Sequence, residues 1–353
     1  MTTREAVLEE LKSIKDPVSG SDIVTAGLVR ALTVEDGAVR FVLEIDGAHA
    51  KAMESVRAGA EARVKSLAGV SSVSAMMTAH SQKAPPDLKG ASKPTPQGPQ
   101  KVPGVDRILL IASGKGGVGK STVAANLATA LAAEGRKVGL LDADIYGPSQ
   151  PRMMGVSGRP QSPDGKTILP LRNHGVTMMS IGLMMPEGEA VVWRGPMLMG
   201  ALQQMMGQVQ WGALDVLLID LPPGTGDVQL TLGQKYVVDG AIIVSTPQDV
   251  ALLDARKAIS MFNKMDTPVL GMIENMSTHV CSKCGHEEHL FGHGGVAAEA
   301  GKLGLPLLAE IPLHLDIRLA ADSGAPVVVS APESAQAAPY RALAKQLVAQ
   351  GKA

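Results

Sequence analysis

Apolar and polar positions follow two different regimes along this chain, and the change falls near residue 105. In the first regime Ala6, Val7, Leu8 and Leu11 share one side of a helical period, which Asp16-Pro17-Val18-Ser19-Gly20 ends. Strand-like runs follow over residues 23–32 and 39–45, joined around Glu35-Asp36-Gly37, with Phe41, Leu43 and Ile45 alternating on one face. Met53, Val56, Ala60, Val64 and Leu67 make the stripe of a second helix, and residues 70–76 read as a closing strand. These elements predict a small α+β domain over residues 1–78. In the second regime apolar runs at 108–112, 137–141, 215–219, 240–246, 269–274 and 307–311 alternate with helical patterns, and residues 168–171 and 176–181 read as shorter strands. Further helices are expected from Trp193, over 314–323 and over 338–349. Strands that are apolar throughout are covered on both faces, so residues 105–353 predict an α/β domain with a mostly parallel sheet flanked by helices.

Between the two regimes, residues 79–104 hold six prolines, four lysines and three glycines, a composition that predicts an extended linker. The chain of 353 residues, 45% hydrophobic and 19% charged, is long enough for two cores. Its formal charge of −1 offers no field to hold nucleic acid, and at 2% aromatic residues it has few platforms for stacking bases. The 18 methionines read as gap-filling core residues. The N-terminus is charged and amphipathic, and no apolar run approaches the roughly 18 residues of a membrane span, so a cytoplasmic protein with no membrane association is expected. Two cysteines, Cys281 and Cys284, are too few for a disulfide framework, and their two-residue gap points to metal or redox chemistry.

The most specific chemistry lies where an apolar strand meets Gly114-Lys115-Gly116-Gly117-Val118-Gly119-Lys120-Ser121 and then a helical pattern opening at Thr122. Strand, glycine loop and helix in that order fit the G-x-x-x-x-G-K-[ST] phosphate-binding motif. Its glycines turn backbone N–H groups towards one anion, and the helix N-terminus adds its dipole. Lys120 is expected to reach the β- and γ-phosphates of ATP and the Ser121 hydroxyl to ligate Mg2+, with Gly114 to Thr122 enclosing the nucleotide. Two further strands end in carboxylates: 137–141 runs into Asp142-Ala143-Asp144, and 215–219 into Asp220-Leu221-Pro222-Pro223-Gly224-Thr225-Gly226. Strand C-terminal ends are where open α/β sheets bind ligands, and an acidic residue at such a tip can hold magnesium, the role expected of Asp220.

Lys115 within KGGVGKS makes the loop resemble the deviant phosphate loop of dimeric P-loop ATPases. ENMS followed by Cys281-Ser282-Lys283-Cys284-Gly285 narrows the resemblance to the Mrp/ApbC type of iron–sulfur cluster carrier over residues 105–330. DPVSGSDIVTAGLV resembles the small iron–sulfur-targeting domain fused ahead of many such carriers, although DGAHAKAM lacks the cysteine often found there. The resemblance implies a homodimer in which Lys115 reaches the partner's nucleotide, Asp144 positions the attacking water, Asp142 joins Ser121 and Asp220 around magnesium, and Asn275 contacts adenine. It also implies an RGP helix, at Arg194-Gly195-Pro196, that supports packing and the dimer. Cys281 and Cys284 are expected to hold a [4Fe-4S] cluster. With only two cysteines in the chain, the four thiolates such a cluster normally takes require two subunits. Slow ATP hydrolysis coupled to transfer, cluster scaffold proteins as donors and apoproteins as recipients complete the expectation. Two other readings stay open on sequence: a Min/Par-like positioning ATPase, with the last helix as a membrane-surface element, and a structural zinc site completed by His286 and His289.

Overall fold

A computed structural model describes residues 2–17, 20–35, 37–46, 50–80, 98–184, 195–281 and 283–353, and the chain falls into two compact units, Met1–Thr95 and Pro96–Ala353. The first unit contains α1 (Arg4–Leu11), β1 (Val29–Glu35), β2 (Ala38–Asp46), α2 (Ala50–Lys65) and β3 (Ser72–His80). β2 pairs antiparallel with β1 and parallel with β3. Val7, Leu11, Phe41, Leu43, Met53 and Val64 form its core, as the two apolar periods require. The first strand begins at Val29, later than expected. The Asp22 carboxylate accepts from Val24 N at 3.1 Å and Thr25 N at 2.7 Å, which curls residues 22–25 into a turn and buries Ile23 outside the ladder.

The second unit opens with β4 (Val105–Ala112), α3 (Lys120–Ala133), β5 (Val138–Asp142), α4 (Gln150–Met153), β6 (Leu171–Asn173) and β7 (Val176–Ser180). It continues with α5 (Gly195–Gly207), β8 (Leu214–Asp220), α6 (Asp227–Lys235), β9 (Gly240–Ser245), α7 (Asp249–Lys264) and β10 (Val269–Val280). The last elements are β11 (Glu287–Glu288), α8 (Gly295–Leu303), β12 (Leu307–Leu313), α9 (Leu315–Ser323), α10 (Val327–Ser330) and α11 (Ala338–Ala349). The sheet order is β11-β10-β9-β4-β8-β5-β7-β6, with β12 also paired to β10, and antiparallel pairing is confined to β6–β7 and β10–β11. Along β4, Ile108, Leu110 and Ala112 join the core beneath α5, α6, α7 and α8, while Leu109 and Ile111 join the one beneath α3, α9 and α11. α3 is apolar nearly all round because it lies between the sheet and α11. Full burial of Leu127 and Leu131 there contributes about 2 kcal/mol each.

Three further expectations change. The linker of residues 79–104 is shorter at both ends: β3 runs to His80, and residues from Gln100 belong to the second unit. Gln100 N donates to Lys235 O at 2.8 Å, Val237 N to Gln100 O at 3.0 Å, and Val102 is buried. Pro103 and Gly104 then form a turn, closed by Val105 N donating to Val102 O at 3.1 Å, that leads into β4. The strand expected at 269–274 extends to Val280, because β11 and β12 supply partners beyond the end of β9. Residues 168–171 give two isolated bridges, Ile168 to Val209 and Leu169 to Gln161, before the strand at Leu171.

The helix expected from Trp193 runs over Gly195–Gly207, while Trp193 and Arg194 lie outside the described residues. α11 buries Tyr340, Leu343 and Leu347, so its apolar stripe is used in packing. Among the described residues no helix is long and apolar enough to cross a membrane.

Candidate functional site

The glycine loop spans the gap between the tip of β4 and the first turn of α3. Two glycines in it are there for clearance. A side chain at Gly114 would lie 2.1 Å from the Asp254 carbonyl carbon of α7, and one at Gly119, whose φ is +82°, would lie 2.1 Å from the Asn275 amide nitrogen. α3 starts with no side-chain cap, which leaves its first N–H groups free for an anion. A cavity of 220 Å3 is lined by Ser113, the loop from Lys115 to Thr122, Asp144, Ser149, Met153 and Pro223. Lys115, Lys120, Ser121 and Asp144 therefore share one space. Among the described residues no carboxylate pairs with Lys115.

Beneath this cavity, parallel neighbours β5 and β8 set Asp142 opposite Asp220 in register, and both carboxylates are fully buried. Lys120 Nζ forms a buried ion pair with Asp220 and lies 3.4 Å from Ser121 Oγ. Asp142 accepts from Asp144 N at 3.2 Å, Gln150 N at 3.1 Å and Ser180 Oγ at 3.1 Å. Burial, followed by the charge of Asp220, pushes its carboxyl up to about 8, against an ordinary value of 3.8. Burial also raises Asp144, opposed by the Lys120 ammonium.

Two residues that sequence reasoning missed complete this layer. Gln150 Nε2 donates to Asp220 Oδ2 at 2.8 Å and to Ser121 O at 2.9 Å, while its Oε1 is buried with no partner among the described residues. Gln229 donates to Pro222 O at 2.8 Å and Gly224 O at 3.0 Å and accepts from Gly226 N at 3.1 Å, which shapes the loop after Asp220. Their only signal in sequence was a glutamine closely following each aspartate-tipped strand. Hydroxyl and carboxylate oxygens, with an orphaned amide oxygen beside them, are the hard donor set that suits Mg2+.

Asn275 sits behind the loop, buried, with its Nδ2 donating to Val118 O at 2.8 Å. It contacts the loop backbone and does not line the cavity. The cysteines lie past the end of β10 in the turn leading to β11, with Cys281 half-buried and Cys284 exposed. Cys281 N donates to His286 O and Gly285 N to Cys281 O, each at 2.9 Å, and Gly285 takes φ +72°. N–H groups of Lys283 and Cys284, then the Cys284 thiol, lower the Cys281 thiol from its ordinary value. His286 is exposed near Glu288, and His289 Nδ1 lies 3.2 Å from Ser277 O. Among the described residues one group of three converging metal-ligand side chains occurs, Glu274, His293 and Glu310, and it includes neither cysteine. The four ligands of a single-chain zinc site are therefore not brought together.

The family described as NUBPL iron-transfer P-loop NTPase matches residues 104–348, and that described as iron–sulfur cluster assembly protein matches residues 4–75. An iron–sulfur cluster carrier protein from Synechocystis is 44% identical over 98% of this chain and 97% of its own. One from Escherichia coli K12 is 54% identical over 70% of this chain and 67% of its own. The mouse iron–sulfur cluster transfer protein NUBPL is 50% identical over 70% of this chain and 78% of its own. Among solved structures, a nucleotide-binding protein from Archaeoglobus fulgidus in complex with ADP is 39% identical, with a TM-score of 0.57 over 66% of this chain and 91% of that one. The septum site-determining protein MinD from Pyrococcus horikoshii with Mg-ADP is 27% identical, with a TM-score of 0.51 over 70% of this chain and 98% of that one. Phosphate loop, acidic strand tips and cysteine turn all fall within the matched segment, and the chain belongs to the NUBPL iron-transfer P-loop NTPase family.

Proposed function

We propose that this protein is a cytoplasmic ATP-hydrolysing carrier that holds a [4Fe-4S] cluster between two copies of the chain and passes it from scaffold proteins to apoproteins. The observation that carries this reading is the placing of the chain's only two cysteines in one turn, at the end of a strand of the nucleotide-binding sheet. Two thiolates fill half of the usual ligand set of such a cluster, and a two-fold axis supplies the other half. Likeness to positioning ATPases stays at the level of fold, and that reading has no use for the cysteine pair.

ATP enters with its phosphates against the N–H groups of Gly116 to Ser121, and Lys120 exchanges Asp220 for the phosphate oxygens. That exchange leaves the Asp142 and Asp220 carboxylates and the Ser121 hydroxyl to hold magnesium, which when bound neutralises charge on the phosphates. Asp144 faces the same cavity and positions the attacking water. Lys115, which pairs with no carboxylate among the described residues, reaches the nucleotide of the partner. Hydrolysis is slow and coupled to cluster transfer.

Cys281→Ser tests the shared cluster. Anaerobic reconstitution followed by absorbance and sizing is expected to show loss of brown colour and weakened dimerisation together. Colour retained, or a dimer unaffected by losing the cluster, contradicts the reading. For Lys115, mixing inactive Lys115→Ala and Lys120→Ala chains is expected to restore some ATPase activity, because one composite site keeps both lysines. Demonstrated heterodimers with no activity place Lys115 in its own chain's site. The buried Asp142 carboxyl predicts a pH effect. In the unfolded chain it ionises near 3.8 and in the fold at about 8, so between these values the folded state holds a proton that the unfolded state has released. This group's contribution to the stability of the nucleotide-free protein therefore falls as pH rises through that window. Asp142→Asn is expected to flatten the fall in urea midpoint while abolishing magnesium-dependent hydrolysis, and an unchanged slope refutes the assignment.

A further inference from the structure

One strand touches both sites. Through Glu274, β10 is paired with β9 on one side and β12 on the other, which makes it a stiff central element up to that point. At Asn275 the pairing with β9 has ended, and the side chain turns to the phosphate loop at Val118 O. Met276 follows with φ +57°, in the left-handed region that a methionine rarely adopts inside a strand. Its methyl group lies beside the loop as well: a side chain built at Gly119 would meet it at 3.7 Å. The ladder to β12 runs from Asn275 opposite Ile311 to His279 opposite Leu313, four residues against two, so the strand bulges here.

Just beyond Met276 the chain is fastened to the cysteine loop. Ser277 Oγ donates to Ile311 O at 3.2 Å, and Ser277 O meets His289 Nδ1 at 3.2 Å. Just before Asn275, the buried Glu274 carboxylate accepts from Gly294 N at 3.0 Å and Val296 N at 2.8 Å. Residues 274–277 thus grip the loop after the cysteines at both of its returning segments while touching the turn that receives phosphate. Cys281 lies four residues past Ser277 (281 − 277) on the same strand and turn.

We propose that Asn275-Met276 is the mechanical link through which nucleotide in the phosphate loop changes the state of the cysteine pair. A strained backbone at an interior position persists only while its neighbours over-determine it, and here one of those neighbours is the phosphate loop. Phosphate drawn into the loop shifts Val118 and Gly119, which press on Asn275 and Met276. The doubly paired strand before them cannot yield, so the displacement goes into the bulge and on to the base of the cysteine loop. Asn275 and Met276 are positioning residues in this account. The proposal rests on the carrier reading and supplies the route by which its two sites communicate.

The test uses the full-length, cluster-free protein under anaerobic conditions and follows alkylation of Cys281 and Cys284 by iodoacetamide, with and without a saturating non-hydrolysable ATP analogue and magnesium. In the wild type, nucleotide is expected to change the alkylation rate at least about fivefold, the low end of ordinary coupling between sites. Met276→Gly fits φ +57° without strain and lacks the methyl contact, so it is expected to lose that dependence at saturating nucleotide. Asn275→Ser, which cuts the tie to Val118, is expected to lose it too. Wild-type rates indifferent to bound nucleotide, or a full response retained by both variants, overturn the link. Cluster loading in a protein whose thiols ignore nucleotide counts against the link alone, whereas a wild type that never loads a cluster counts against the carrier reading.

Discussion

Everything near the nucleotide cavity depends on keeping three ionisable groups, Lys120, Asp142 and Asp220, in a place with almost no water. Two carboxylates and one ammonium do not balance, and burying the surplus charge is costly enough that Asp142 keeps its proton up to about pH 8. The sheet creates this situation by registering β5 with β8, and it tolerates it through directed donors: Ser180, Gln150 and the backbone of residues 144 and 150. A site arranged in this way favours a ligand that brings its own cation. In the proposed function, magnesium with ATP would let Lys120 move to phosphate while the two carboxylates would meet a divalent charge.

The same sheet sets the reach of the second site. β10 is the longest strand of this unit, at 12 residues, because β11 and β12 keep pairing with it after β9 has stopped. Its middle lies against the phosphate loop, and its end carries the cysteine turn. On the proposed link, the coupling of the two sites follows from strand length. A strand ending with β9 at the level of Glu274 leaves the thiols without a rigid connection to the loop.

The phosphate loop, both aspartate-tipped strands and the cysteine turn were legible because each combines a local turn signal with a flanking apolar run. The parallel sheet followed from strands apolar throughout. What escaped was set by tertiary context. Residues 98–104 read as linker because proline and glycine dominate there, yet Val102 finds an apolar site and the Gln100 backbone finds partners at 235 and 237. Gln150 and Glu274 look like ordinary polar residues at element ends until the fold encloses them. The tie from Asn275 to Val118 O appears only once β10 and the loop are packed together. Met276 carries no sequence signal of its left-handed backbone.

The central claim is that two copies of this chain share one cluster, and the most direct measurement is iron content together with native mass after anaerobic reconstitution of the full-length protein. The account predicts a dimer carrying about two irons and two sulfides per chain, half of a four-iron cluster, that dissociates when chelator removes the iron. A monomer that retains four irons, or a colourless protein that takes up one zinc per chain and no iron, contradicts it.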